Sequence, residues 1–298
     1  MLAVDKPEGL SSARVVARVK HGLGARKVGH TGTLDPFATG LLLLGINSGT
    51  RISRFILGGN KTYLARLHLG VETDTQDLTG EVVSRSEPGM VESLDTESII
   101  RVARAMTGPQ KQQPPVFSAL KHEGQPLYRL ARQGKPVEKP ARDIEIFSIH
   151  VSAVSLPFVD FSVRCSAGTY IRTLARDMGR HLGCGGHLCS LRRVETCGFT
   201  VDDALTLSDL GGMSPGDIEA RVIPMAQVLE PMPAYRADSE LTRIIRFGQP
   251  IPDNVLAMEP LVSRVPHVRV LDSAGELLAV LEYVSPGDSY IYCCVFND

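Results

Sequence analysis

Asp35 is the one acid in the segment Gly29–Gly40, GHTGTLDPFATG, where it stands between Leu34 and Pro36 with His30, Thr31 and Thr33 close by. A carboxylate held in a glycine-rich turn at the foot of a core strand can act as nucleophile, base or charge stabiliser in a cleft. The same residue types also describe an Asp that caps a turn before proline, and local features alone favour that plainer role. A second group, His181, Cys184, His187 and Cys189, places four metal-type donors within nine residues. Its spacing lacks the long finger that separates paired zinc knuckles, and one local loop would have to fill all four corners of a tetrahedron. It therefore reads as a helix end running into a strand, and no metal is expected. Walker and dinucleotide phosphate loops are missing, as is the G-x-S-x-G elbow, and Cys165 has no evident His partner. Nucleotide cofactors and ordinary acyl transfer are thus disfavoured.

The elements that must position Asp35 follow from periodicity. Leu2–Val4 predicts a short strand, and Ser12 a cap for a helix over Ala13–His21 that buries Val15, Val16 and Val19 and turns Arg14, Arg18 and Lys20 outward. The Asp35 loop runs directly into the apolar stretch Leu41–Leu44. A short helix is expected over Ser48–Leu57. Tyr63, Ala65, Leu67 and Leu69 alternate with Leu64, Arg66 and His68 as in a half-exposed strand, and Gly80–Ser84 is expected to extend that sheet. Helical spacing covers Glu97–Met106, Gln110–Ser118 reads as a loop rich in Pro and Gln, and a short helix is expected over Leu127–Gln133. Two β runs, Asp143–Val154 and Val159–Cys165, precede a helix over Tyr170–His181 and a strand over His187–Glu195. Strands interleaved irregularly with helices, without a βαβ period, predict an α+β fold with a mixed or antiparallel sheet. Beyond about Pro231, one helix over Asp238–Phe247 and the β runs His267–Leu271, Leu277–Tyr283 and Tyr290–Phe296 predict a small β-rich appendage. The expected domains are 1–231 and 232–298.

A chain of 298 residues has room for two such domains. With 43% hydrophobic and 22% charged residues, collagen, coiled coil and wholesale disorder are excluded. No apolar run approaches the roughly 18 residues a bilayer crossing needs, so a soluble protein is expected. Asp5, Lys6 and Pro7 stand where a signal peptide would carry its basic and apolar stretches. Export is not expected, the six cysteines are expected as reduced thiols, and the location as cytoplasmic. Net charge is −1 but unevenly spread: +7 over residues 1–70, −7 over 71–100, +6 over 101–143, +2 over 144–200 and −9 over 201–298. A cationic face on a near-neutral chain is what phosphate binding requires, although ordinary solvated faces give the same counts.

GHTGTLDPFATGLL at Gly29–Leu42 closely resembles the catalytic motif of the TruB family of pseudouridine synthases, which isomerise uridine at position 55 in the T arm of tRNA. Further pieces match in order: VDKPEGLSS at Val4–Ser12, KTYLARLHLGVETDTQDLTGEV at Lys61–Val82, PPVFSALK at Pro114–Lys121, YRLARQG at Tyr128–Gly134, GTYIRTLARDMG at Gly168–Gly179 and LRR at Leu191–Arg193. The resemblance spans Met1–Pro231, and the tail is loosely similar to a PUA-like RNA-binding module.

The resemblance implies a catalytic role for Asp35 in breaking the bond from uracil N1 to sugar C1′, so that the base can turn and rejoin through C5. Arg172 would pair with Asp35 and aim it. Tyr63 would stack on the uracil, Tyr170 would pack beside it and take part in removing the C5 proton, and Leu191 would close the apolar side. His30 would lie where the flipped nucleotide has left its loop, and Lys6, Arg14, Lys20, Arg129 and Arg132 would track phosphates. Without the motifs, Tyr63 and Leu191 would read as core and Arg172 as a helix-surface charge. No cofactor or metal is implied. The implied partner is the T arm of tRNA, met by a monomer without obligatory protein partners; a noncatalytic tRNA-folding chaperone on the same scaffold is the alternative.

Overall fold

The computed structural model describes residues 1–297. Its main sheet begins with β1 (Leu2–Lys6), β2 (Val28–His30), β3 (Thr39–Ile46) and β4 (Lys61–Leu69). A two-stranded ribbon, β5 (Val71–Thr73) with β6 (Val82–Arg85), and the edge strand β7 (Gly108–Gln112) follow. After a minimal hairpin, β8 (Lys121–His122) and β9 (Gln125–Pro126), the sheet resumes with β10 (Arg142–Ser155), β11 (Phe158–Cys165), β12 (Gly186–Thr196), β13 (Phe199–Thr200) and β14 (Leu205–Thr206). The order is β14-β1-β3-β12-β4-β11-β10-β7, with β2 beside β3 and β13 beside β12. Pairing is parallel at β1/β14 and β3/β12 and antiparallel elsewhere, so the fold is α+β with a mixed sheet.

The helices that matter for the site are α1 (Ser12–Gly22), α2 (Ser53–Ile56), α3 (Thr96–Ala105), α4 (Leu127–Arg132) and α5 (Ile171–His181). On one face of the sheet, Ala65, Leu67 and Leu69 of β4 pack with Val159 and Phe161 of β11, Ile99 and Ala103 of α3, and Leu174 and Met178 of α5. The leucine run is unbroken because β3 is covered on both faces. Leu42 and Leu44 pack with Val15 and Val19 of α1, whereas Leu41 and Leu43 pack with Val280 and Phe296 from the far end of the chain. Each such burial contributes about 1.5–3 kcal/mol. Gly40 has φ +100°, and a Cβ there would lie 2.2 Å from the Arg193 carbonyl oxygen, so only glycine lets β3 and β12 close together at the exit of the Asp35 loop.

Three local expectations change. Ser11, not Ser12, caps α1, accepting a hydrogen bond from the Arg14 N–H. The 80–84 region does not extend the sheet: β6 pairs with β5 alone, and its four residues are exposed. Part of the expected Pro and Gln loop is β7, whose polar residues pair with β10 at the sheet's edge.

The C-terminal sheet consists of β15 (Ala234–Arg236), β16 (His267–Leu271), β17 (Leu277–Val284) and β18 (Ser289–Val295), in that order. The helix Ser239–Arg246 covers one face through Leu241 and Ile245, which pack on Val268, Val270 and Leu281. The other face meets the back of the main sheet at Met1, Ala3 and Leu41, and Arg51 donates to the Val295 carbonyl at 2.6 Å. Among the described residues, no helix is long and apolar enough to cross a membrane, and the six cysteines are free thiols.

Candidate active site

The Asp35 loop is fixed from below by two buried side chains. Ser12 Oγ donates to the Leu34 carbonyl at 3.0 Å and accepts from the Leu34 N–H at 2.9 Å. Lys6, fully buried at the end of β1, donates through Nζ to the carbonyls of Pro7 (2.8 Å), Leu10 (2.6 Å) and Pro36 (3.2 Å). Burial pushes its pKa down to about 8, partly opposed by Asp35 and Glu8. Together these bonds hold the main chain on either side of Asp35.

Arg172, in the first turn of α5, comes to the same point from across the sheet. Its Nη2 donates to Asp35 Oδ1 at 3.3 Å, and its Nε lies 2.9 Å from Oδ2 as a charge contact rather than an aligned hydrogen bond. The guanidinium is held by three more groups: the Thr75 carbonyl at 2.7 Å, the Phe117 carbonyl at 2.8 Å and Asp77 Oδ2 at 3.4 Å. Asp77 is itself satisfied, its Oδ1 accepting from Thr75 Oγ1, the Thr79 N–H and Thr79 Oγ1. One arginine thus faces two carboxylates, and exposure separates their roles. The Asp35 side chain is 33% exposed and the Asp77 side chain 6%. Only Asp35 is open to a substrate.

Asp35 and Arg172 line a cavity of about 380 Å³, within the range of small-ligand sites. Tyr63 and Leu191, inward-facing on β4 and β12, supply its aromatic and apolar walls. Burial raises the Tyr63 pKa, which Arg193 partly offsets. Tyr170 caps α5 at the rim, where Gln112 grips its main chain from both sides, accepting from the N–H at 2.7 Å and donating to the carbonyl at 3.0 Å. The Arg142 guanidinium lies over the Tyr170 ring, 4.7 Å from its centre, and donates to the Gly168 carbonyl.

Asp35, Arg172, Tyr63, Tyr170 and Leu191 therefore converge on one cavity. His30 does not line it. It sits in β2 with Nδ1 accepting from the Gly32 N–H at 3.4 Å, and burial lowers its pKa. Lys6 corrects the expectation of a phosphate contact: it has no exposed surface and its ammonium is engaged by three carbonyls. Arg14 and Lys20 on α1 and Arg129 and Arg132 on α4 are exposed. α4 starts against the segment whose Ser118, Ala119 and Leu120 line the cavity: the Tyr128 N–H donates to the Ser118 carbonyl at 3.0 Å and the Leu127 N–H to the Leu120 carbonyl at 2.8 Å.

Sequence reasoning assigned no role to Asp77, Lys61 or Arg193. Lys61 and Arg193 also line the cavity, Lys61 donating to the Gly59 carbonyl at 2.7 Å and Arg193 to the carbonyls of Leu41 at 2.7 Å and Gly32 at 3.1 Å. Strand parity could have found them, since Lys61 and Tyr63 share a face of β4, as do Leu191 and Arg193 of β12. The four donors from His181 to Cys189 do not converge. His181 and His187 contact the carbonyls of Asp177 and Val71, and Cys184 and Cys189 donate to those of Gly185 and Arg66.

Residues 20–171 match the family described as TruB family pseudouridylate synthase (N terminal domain), and residues 172–237 match the tRNA pseudouridylate synthase B C-terminal domain. The chain is 43% identical to the tRNA pseudouridine synthase B of Syntrophotalea carbinolica over 304 residues, covering 100% of this chain and 98% of that one. It is 44% identical to that of Geobacter sulfurreducens over 250 residues, covering 84% and 81%. Among solved structures, a Cbf5-Nop10-Gar1 complex contains a similar chain, with 25% identity and a TM-score of 0.70 over 95% of this chain and 78% of that one.

Proposed function

The chain belongs to the TruB family of pseudouridine synthases, and we propose that it isomerises uridine to pseudouridine in tRNA, at position 55 of the T loop, with the target nucleotide extruded into the cavity over Asp35. Its relatives at about 40% identity are named for pseudouridine synthesis in tRNA. The observation that carries the proposal is the pairing of Arg172 with Asp35, one accessible carboxylate beneath an aromatic and apolar wall.

A uridine stacked inside a folded loop is out of reach of any side chain, so the base has to leave the stack at a cost of a few kcal/mol. Tyr63 offers a replacement stacking face and Leu191 an apolar wall. In the reaction the N1–C1′ bond breaks, a C5–C1′ bond forms, C5 loses its proton and N1 gains one. No electrons are gained or lost. Asp35 is the group that promotes N1–C1′ cleavage, Arg172 is its fixed partner, and Tyr170 stands beside the base for the C5 proton. Arg14, Lys20, Arg129 and Arg132 track phosphates of the T arm, and His30 lies by the space the flipped base vacates. The reaction takes place in the cytoplasm, on tRNA alone. We assign residues 232–298 to a PUA-like RNA-binding domain, on the basis of their separate four-stranded sheet.

Tritium release from a tRNA transcript labelled at uridine C5 tests the proposal. One equivalent released per tRNA, and none when position 55 is cytidine, is expected. Undiminished release from the cytidine transcript would put the target elsewhere, and binding without release would favour a folding chaperone.

A further inference from the structure

We propose that His267, Glu282 and Cys293 form a binding site for a zinc-class divalent cation at the seam between the C-terminal sheet and the main sheet. One ligand atom from each of the three, a ring nitrogen, a carboxylate oxygen and the thiol sulfur, lie within 4.8 Å of one another. None of the three takes part in the cavity over Asp35.

The sheet brings them together. His267 of β16 stands directly opposite Glu282 of β17, and Glu282 in turn opposite Ile291 of β18, two residues before Cys293. The β17/β18 register shifts between Val280 and Leu281, whose partners are Cys294 and Tyr292, so Cys293 is the extra residue of a β-bulge. Bulges re-aim side chains. Here Cys293 Sγ donates to Glu282 Oε2 at 3.2 Å. Helix α2 closes the site from the main sheet: the Phe55 ring meets His267 edge-on at 5.2 Å, and Arg54 donates to the Cys293 carbonyl at 3.0 Å.

A nitrogen, an oxygen and a sulfur donor suit zinc and exclude magnesium and calcium, which take oxygen shells. Ligand atoms around tetrahedral zinc stand roughly 3.3–3.8 Å apart, which follows from bond lengths of about 2.0–2.3 Å. Reaching that from 4.8 Å needs side-chain rotation over a fixed backbone. Thiolate and carboxylate balance a dication, so the occupied site is neutral beside Arg54, and water completes the fourth corner.

Cobalt(II) added to the full-length, metal-free protein is the probe, because a thiolate ligand gives it a near-ultraviolet charge-transfer band. One equivalent should produce the band and one equivalent of zinc should abolish it. Cys293→Ser should lose the band, His267→Ala should weaken binding at least tenfold, and Cys189→Ser, on the main sheet, should leave both unchanged. Zinc should also raise the thermal midpoint of the native protein but not that of Cys293→Ser. No band in the native protein, a band that survives Cys293→Ser, or equally weak binding in all variants, an adventitious ion only, would overturn the site.

Discussion

Ser12→Ala tests how the scaffold holds Asp35. The substitution removes one hydroxyl that both donates to and accepts from the main chain of Leu34, in a fully buried position. It leaves a carbonyl and an N–H without partners. Each orphaned group costs about 1–3 kcal/mol, so the fold should lose about 2–6 kcal/mol. For a protein of this size the thermal midpoint should fall by roughly 3–10 °C. Because Leu34 is bonded to Asp35, the carboxylate loses its fixed position, and a displacement near 1 Å costs about 100-fold in rate. The adjacent Ser11→Ala is the control. It removes a helix cap on the exposed side, worth about 1 kcal/mol, and leaves the Asp35 loop untouched. Differential scanning fluorimetry and single-turnover pseudouridine formation on both variants decide the matter. Ser12→Ala should slow the reaction at least tenfold with tRNA affinity nearly unchanged, and Ser11→Ala should run at the native rate. Equal midpoints for the two variants, or a native rate in Ser12→Ala, would refute the clamp.

Arg172→Lys keeps the charge but cannot reach Asp35, Asp77 and two carbonyls at once; the single-turnover rate should drop by about 10²–10³ with tRNA affinity within threefold. Lys6, with its folded pKa lowered to about 8, disfavours the charged folded state, and that penalty is present in full below pH 8 and disappears as the pH rises through the unfolded value near 10.5. Urea denaturation should therefore show the native protein gaining up to about 3 kcal/mol relative to Lys6→Met between pH 8 and pH 10.5. Arg14, Lys20, Arg129 and Arg132 should each contribute about 0.7–0.9 to the slope of log affinity against log salt; replacing all four with alanine should flatten it by about 3 across different tRNAs, as read by filter binding over a salt series.

Periodic elements were legible in the sequence. The alternation of β4 and the helical spacing of α3 and α5 give them away because one side faces a core and the other does not. β7 was hidden, since Gly108–Gln112 forms an edge strand of mostly polar residues whose pairing with β10 leaves no hydrophobic pattern. The Ser11 and Ser12 pair shows why neighbours of one type cannot be told apart locally. Either can cap a helix, and only the position of Leu34 in three dimensions gives Ser12 its other task. Lys6 misled for a related reason. The motif resemblance put it among the phosphate contacts, yet its ammonium is held by carbonyls that converge only after β1 and the Asp35 loop have come together. The residues lining the cavity wall, Tyr63, Leu191 and Tyr170, emerged from the motif resemblance; Tyr63 and Leu191 would otherwise have read as core.

The most direct measurement is single-turnover pseudouridine formation by Asp35→Asn, made alongside its affinity for the same tRNA. The amide keeps the size and the loop but not the charge that faces Arg172. The expected result is tRNA binding within about threefold of native, since phosphate contacts away from Asp35 are expected to carry the affinity, together with no detectable pseudouridine. Turnover within tenfold of the native rate would contradict the central place given to Asp35.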